Sequence, residues 1–205
     1  MQHTHLAAAD CASRRALLLA ATAACSPPPL RVLAAAAPLP FELTLPSGFV
    51  RVGNLGSGSR DAGVLFVAGD YSTTIASGGA TTLSVQRLRL SETLPPPTSD
   101  AAARLAMALA QLRDRDATNP APSQVLPETV VADGPKLTFE MLTALTGGDP
   151  RTAPPKLVRH TLVQAQLAPD GLFVLWAGAQ QVDWDLGAAD RLRTAASTFS
   201  LRTPP

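Results

Sequence analysis

A chain of 205 residues with a formal net charge of +1 suggests one domain with accessory segments rather than two full domains. A charge so close to zero excludes the extended basic surface with which proteins bind nucleic acids or anionic membranes. Both cysteines, Cys11 and Cys25, lie in the first 36 residues. The rest of the chain therefore contains no disulfide, thiol nucleophile or thiolate metal site.

The N-terminal segment has the composition of a targeting leader, since it is rich in alanine and poor in acidic residues. Ser13–Leu18 (S-R-R-A-L-L) resembles the S-R-R-x-F/L-L signal of twin-arginine export, with Arg14 and Arg15 as the arginine pair. The apolar run Ala16–Ala24 is shorter than the ~20 residues that a membrane-spanning helix needs. We therefore expect export without a membrane span.

A processing site is predicted shortly after this run. Ala34 and Ala36 supply the small residues that a signal peptidase requires at positions −3 and −1. The prediction is a leader over residues 1–36 and a mature domain over residues 37–205.

Two alternatives compete for the same segment. An ordinary helix starting near Ser13 would be broken at Pro27–Pro29. A bacterial lipoprotein signal would end at Cys25, although Thr22 stands where a lipobox normally has leucine. The second alternative implies an exported lipoprotein that binds a ligand or an envelope partner.

Strand patterns dominate the first part of the mature domain. Alternating or continuous apolar runs predict strands over Phe41–Leu45, Phe49–Val52, Val64–Ala68 and Thr81–Leu90. A Gly/Ser-rich stretch, Asn54–Gly63, is predicted to be a loop. In the fourth strand the residues expected to face inward are Leu83, Val85, Leu88 and Leu90.

A helix is predicted after Pro95–Pro97, with Thr98 or Ser99 as its N-cap. Leu105, Leu109 and Leu112 recur at helical spacing. This single apolar stripe is typical of a helix that covers one face of a sheet.

Further strands follow, and then a second helix. The predicted strands are Gln124–Val131, Lys136–Leu145, Leu157–Leu167 and Leu172–Gly178. The last two form the clearest hairpin, because Pro169-Asp170-Gly171 between them is a strong turn sequence. The helix covers Asp185–Ser197, with an inward stripe of Leu186, Ala189, Leu192, Ala196 and Phe199. Consecutive strands joined by short turns favour an antiparallel sheet with helices packed against it.

Residues with catalytic chemistry are scarce in the mature domain. His160, its single histidine, lies in a predicted strand, where a structural or surface role is commoner than catalysis. Asp183 and Asp185 could present oxygens to calcium, but at the start of a helix capping is the commoner role of aspartate. No G-x-S-x-G motif or nucleotide-binding glycine pattern occurs, so we expect no enzyme. Trp176 and Trp184 are expected to anchor the core.

Four segments resemble the PsbP family in their order and spacing. They are Pro40–Phe49 (P-F-E-L-T-L-P-S-G-F), Thr82–Arg87 (T-L-S-V-Q-R), Asp170–Ala179 (D-G-L-F-V-L-W-A-G-A) and Ala196–Leu201 (A-S-T-F-S-L). The resemblance covers roughly residues 40–202. The twin-arginine leader agrees with it, because many lumenal PsbP-like proteins use that export route.

The resemblance implies an α+β fold in which a central antiparallel sheet is sandwiched between helices. It implies an extrinsic, non-catalytic protein of the chloroplast thylakoid lumen that is peripheral to the membrane. The expected partner is photosystem II or another thylakoid complex, and the expected role is in oxygen evolution, assembly or stability. The founding member is linked to calcium retention, so calcium is the cofactor that the resemblance suggests. Histidine metal ligands do not carry over, because His160 is the only histidine of the mature domain.

Overall fold

A computed structural model describes residues 39–72, 79–89, 101–115, 122–146 and 148–202. The predicted leader, the Thr98 or Ser99 cap and Leu90 lie outside the described residues. Among the residues that are described, no helix is long and apolar enough to cross a bilayer.

An antiparallel sheet forms the centre of the domain. Its strand order is β2-β3-β4-β8-β7-β6-β5, and each neighbouring pair is antiparallel. The strands of this sheet are β2 (Val50–Arg51), β3 (Val64–Asp70), β4 (Thr81–Leu88), β5 (Ser123–Asp133), β6 (Lys136–Ala144), β7 (Val158–Ala168) and β8 (Gly171–Gln180). A second, two-stranded sheet pairs β1 (Phe41–Glu42) with β9 (Ser200–Leu201).

The hairpin of β7 and β8 lies at the centre of the large sheet. Pro169 and Asp170 form its two-residue connection, since Ala168 pairs with Gly171. All ten residues of β8 are buried, which explains its continuous apolar sequence: both faces of this strand are covered. The predicted hairpin is confirmed.

Helices cover both faces of the sheet. The helical elements are α1 (Ser57–Asp61), α2 (Ala102–Arg115), α3 (Gln181–Asp183), a π-helical turn (Trp184–Ala188) and α4 (Ala189–Ser197), with a 3₁₀ turn at Pro155–Leu157. On one face α2 buries Leu105 and Leu109 against the sheet. On the other face α4 and the π-helical turn bury Leu192 and Trp184. The predicted α+β sandwich is confirmed.

The two faces have separate apolar cores, and this changes the interpretation of β4. Leu83 and Val85 belong to the core beneath α4. Leu88 belongs instead to the core beneath α2. The sequence predicted one inward face for these leucines, whereas the sheet has two.

Two further predictions need correction. The Gly/Ser-rich stretch predicted as a loop contains the short helix α1. Leu186, predicted to face the core, is 81% exposed. The cause is Gly187, whose φ of 108° interrupts the helical backbone, so the apolar stripe does not run straight through the π-helical turn.

Candidate functional site

A polar network surrounds His160 beneath the C-terminal helices. The histidine is only 7% exposed, and its ring is stacked on that of Trp184 at a centroid distance of 3.9 Å. Its Nε2 lies 2.8 Å from Glu140 Oε2, and its Nδ1 lies 3.0 Å from Gln181 Oε1. The network therefore joins β6, β7 and α3.

Two further side chains determine which groups of this network accept hydrogen bonds. Gln181 donates its amide hydrogen to Asp185 Oδ1 at 2.7 Å, which turns its carbonyl oxygen towards the imidazole. Arg193 of α4 donates to Glu140 Oε1 at 2.9 Å. The groups that face the two imidazole nitrogens are thus the carbonyl oxygen of Gln181 and the carboxylate of Glu140.

Glu140 is the carboxylate that contacts His160 directly. The hydrogen bond from His160, followed by that from Arg193, holds the pKa of the Glu140 carboxyl below its ordinary value, although burial opposes the change. Hydrogen bonds to the ionised form have this effect because they favour the charged state.

The geometry around His160 is that of a structural clamp. Both ring nitrogens are engaged by protein side chains, and Trp184 covers one face of the ring. A general base needs a nitrogen within hydrogen-bond reach of a substrate proton, and this arrangement leaves none. Of the two roles expected from the sequence, the structure gives His160 a buried structural position.

Asp183 and Asp185 do not form the calcium site or the helix cap considered from the sequence. Helix α3 begins at Gln181, and its N-cap residue makes no side-chain capping bond. Asp183 is 91% buried in the first turn, with Oδ2 lacking a hydrogen-bond partner among the described residues. Asp185 accepts the hydrogen bond from Gln181.

A calcium site is not supported elsewhere in the described part of the chain. No group of three or more His, Cys, Asp or Glu side chains there is arranged to hold a metal ion. Calcium prefers six to eight oxygen ligands, several of them carboxylates. The described residues therefore do not fit the calcium that the family resemblance suggests.

Arg159 ties three strands together on the opposite face of the sheet. Its guanidinium donates to the carbonyl oxygens of Ala80, at 3.2 Å, and Gly178, at 2.8 Å, and to Thr82 Oγ1. Burial, and then the nearby charge of Arg113, lowers the pKa of Arg159 to about 10. A Cβ on Gly178 would lie 3.0 Å from Arg159 Nε, so the absence of a side chain there lets the guanidinium lie flat on the sheet.

These contacts could hardly be predicted from the sequence. The His160 network joins residues that are far apart in the chain, and no local pattern connects Glu140 with Arg193. A cation within an apolar strand was the one available signal for Arg159. The expected core positions of the tryptophans are confirmed, since Trp176 is 3% exposed and Trp184 is 5% exposed.

An open, mainly apolar groove lies between α2 and the edge strand β5, and we call it the α2–β5 groove. Its volume is about 410 Å³. Its lining residues are Ala103, Met107, Ala110, Gln111, Ser123, Gln124, Val125, Pro127, Val130 and Arg151. Arg151 belongs to the loop between β6 and β7, so this loop contributes directly to the groove.

Comparison with known proteins establishes the fold. No family model and no curated protein matches the chain. Among solved structures, the solution structure of cyanobacterial PsbP (CyanoP) from Synechocystis sp. PCC 6803 is similar, with a TM-score of 0.50 and 17% sequence identity. The match covers 80% of this chain and 87% of that chain. The domain therefore has a PsbP-like fold, which confirms the expectation from the sequence.

Proposed function

We propose that this protein is a non-catalytic, extrinsic protein of the thylakoid lumen that associates with photosystem II and supports its oxygen evolution, assembly or stability. The observation that carries the proposal is the similarity to cyanobacterial PsbP along most of both chains. A fold alone does not specify a function, so the proposal also depends on the residues of this chain.

Two features of the chain support this proposal, one on the role and one on the location. His160, the histidine of the predicted mature domain, is fully engaged within the protein. The twin-arginine pair Arg14 and Arg15 agrees with delivery to the lumen, and the small residues Ala34 and Ala36 agree with cleavage on arrival. We propose the chloroplast as the organelle and a peripheral position on the membrane.

Association with photosystem II is tested with a tagged full-length protein expressed in a photosynthetic host. The protein should reach the lumen and co-purify with photosystem II, and a knockout should lower oxygen evolution or photosystem II levels. Arg14→Lys with Arg15→Lys should block import, because the paired arginines are the export signal. Normal photosystem II levels and normal oxygen evolution in the knockout under fluctuating light would require abandoning the photosynthetic assignment.

Sequencing the mature N-terminus separates this function from the lipoprotein alternative. Cleavage after Ala36, leaving Ala37 first, supports the lumenal protein. An acylated Cys25 at the N-terminus supports an exported bacterial lipoprotein of the same fold.

A further inference from the structure

The α2–β5 groove is held open by a fixed contact at one end. Asp114 of α2 accepts hydrogen bonds from the backbone N–H and the hydroxyl of Ser123, at 2.8 and 2.7 Å. Ser123 Oγ also lies 2.7 Å from Thr143 Oγ1 on β6. The helix and the edge strand are thus joined, and a preformed groove costs a binding partner less ordering energy.

The apolar wall on α2 is distinct from the stripe that the helix uses in the core. Leu105 and Leu109 face the sheet and are fully buried. The groove is lined by Ala103 and Met107, which lie outside this stripe, and by Ala110 at the edge of the core; Met107 is 56% exposed. Methionine is a common residue of adaptable binding surfaces because its side chain is flexible and polarisable.

Charge at the rim indicates the chemistry of the occupant. Arg151 lines the groove, and Arg104 is an exposed residue of α2. Neither guanidinium forms a salt bridge with any residue in the described ranges. The nearby carboxylate of Asp149 forms no salt bridge with Arg151 among the described residues; its Oδ1 accepts hydrogen bonds from the Gln124 side chain and from the backbone N–H of Arg151. An occupant with a carboxylate complements this rim.

The edge of the sheet restricts how the occupant can bind. Strand β5 is the last strand of the sheet, so one of its sides is open to pairing. Pro127 has no backbone N–H to donate, and the pairing of β5 with β6 is irregular between Leu126 and Val131. These features disfavour extension of the sheet by another strand, so we expect the occupant to bind through its side chains.

We propose that the α2–β5 groove is the docking site for a protein partner, which inserts an apolar segment carrying a carboxylate that pairs with Arg151. The open shape favours a protein over a small molecule, because most of a small ligand's surface is normally enclosed by its site. The inference rests on the proposed binding function and specifies the surface that performs it. Methionine and arginine are also enriched at protein interfaces.

Fluorescence anisotropy with labelled synthetic peptides tests this docking site. The probes are overlapping peptides that tile the lumenal segments of photosystem II subunits, titrated with the purified mature protein. At least one apolar peptide with an acidic residue should bind. Arg151→Glu should weaken that binding by about tenfold through loss of one charge pair, and Met107→Glu should weaken it at least as much.

Matched controls separate a docking site from a general effect of charge. Val50→Glu changes an exposed apolar residue on β2, at the opposite edge of the sheet, and should leave the affinity unchanged. Replacing the acidic residue of the peptide by lysine should abolish binding to the wild type and restore it to Arg151→Glu. Circular dichroism verifies that each variant is folded.

Three results would overturn the proposal. The first is equal affinity of Arg151→Glu, Met107→Glu and wild type for every binding peptide, and the second is the absence of any binding peptide. The third is displacement of the peptide by oleate at lower concentrations than by unlabelled peptide, which would assign the groove to a lipid.

If the groove variants still co-purify with photosystem II, the docking site fails while the proposed function stands. If the peptides bind as expected but the native protein does not co-purify, the proposed function fails.

Discussion

Trp176 and Leu186 are large apolar residues with opposite surroundings. Trp176 lies on β8 and is 3% exposed, with the guanidinium of Arg113 over its ring at 5.0 Å. Trp176→Ala should lower the free energy of unfolding by about 3–5 kcal/mol, because the change removes buried apolar area and leaves a cavity. Chemical denaturation of the purified domain measures this loss.

Leu186→Ala is the matched control, since Leu186 is 81% exposed. Its effect on the free energy of unfolding should stay within about 0.5 kcal/mol, as is usual for surface substitutions. A loss of under about 1 kcal/mol for Trp176→Ala would show that the tryptophan is not a core residue.

The positions of single residues were predictable from the sequence where the backbone is regular. Leu105 and Leu109 follow helical spacing and are buried as expected. Leu186 was predicted to be buried and is exposed. The prediction required a continuous helix, and Gly187 interrupts the helical backbone next to Leu186. The role of His160 could not be predicted from the sequence either, because its partners Glu140 and Gln181 come from other elements of the chain.

Helix α4 is held to the sheet by two carboxylates as well as by its apolar stripe. Arg193 pairs with Glu140 of β6, and Arg191 pairs with Asp70 of β3. The pKa of Glu140 is lowered mainly by the hydrogen bond from His160. That of Asp70 is lowered mainly by the hydrogen bond from Ser72, with Arg191 adding to the effect.

The lowered pKa values predict how stability depends on pH. A carboxyl whose pKa is lower in the folded than in the unfolded state stabilises the fold above its unfolded value. That stabilisation is lost as the pH falls through the lowered value. The free energy of unfolding should therefore decrease as the pH falls below about 4.5, the ordinary value for Glu140.

Glu140→Gln tests this assignment, because it removes one titrating carboxyl and leaves Asp70 in place. Denaturation curves over a range of acidic pH should be flatter for Glu140→Gln than for the wild type. Identical pH dependence of the two proteins would show that the network around Glu140 does not contribute to acid sensitivity.

The elements themselves were predictable wherever their signals are local. The turn sequence Pro169-Asp170-Gly171 between two strand-like segments predicted the β7–β8 hairpin. The short helix α1 was missed because its sequence, S-G-S-R-D, has the composition of a loop and no apolar periodicity. The two-residue strand β2 was found only as part of a longer extended run.

At the scale of the whole molecule, the sequence predicted the class of the fold and not the order of its strands. Neighbours such as β7 and β8 follow each other in the chain, but β4 pairs with β8 across a wide separation. Nothing local specifies that contact. The burial of both sheet faces specifies it, because β8 is almost entirely apolar and is buried along its whole length, as a central strand must be.

Strands β1 and β9 bring the first and last described segments of the domain side by side. Phe41 pairs with Leu201, and Arg202 N–H donates to Pro40 O at 3.0 Å. A short Gly/Ser linker can therefore join residue 202 to residue 40, and new ends can be opened at Gly134, which has no atoms crowding its Cβ position. This circular permutant should unfold cooperatively with a native-like circular dichroism spectrum.

The same permutation opened at Leu175, in the middle of β8, should fail to fold, because it cuts the strand that both cores share. If both permutants fold, or neither does, the strand order would not determine where the chain tolerates a break. If only the Gly134 permutant folds, the order of the elements along the chain is separable from the architecture. The two ends of the domain lie side by side, so a chain that begins at another surface turn would give the same domain.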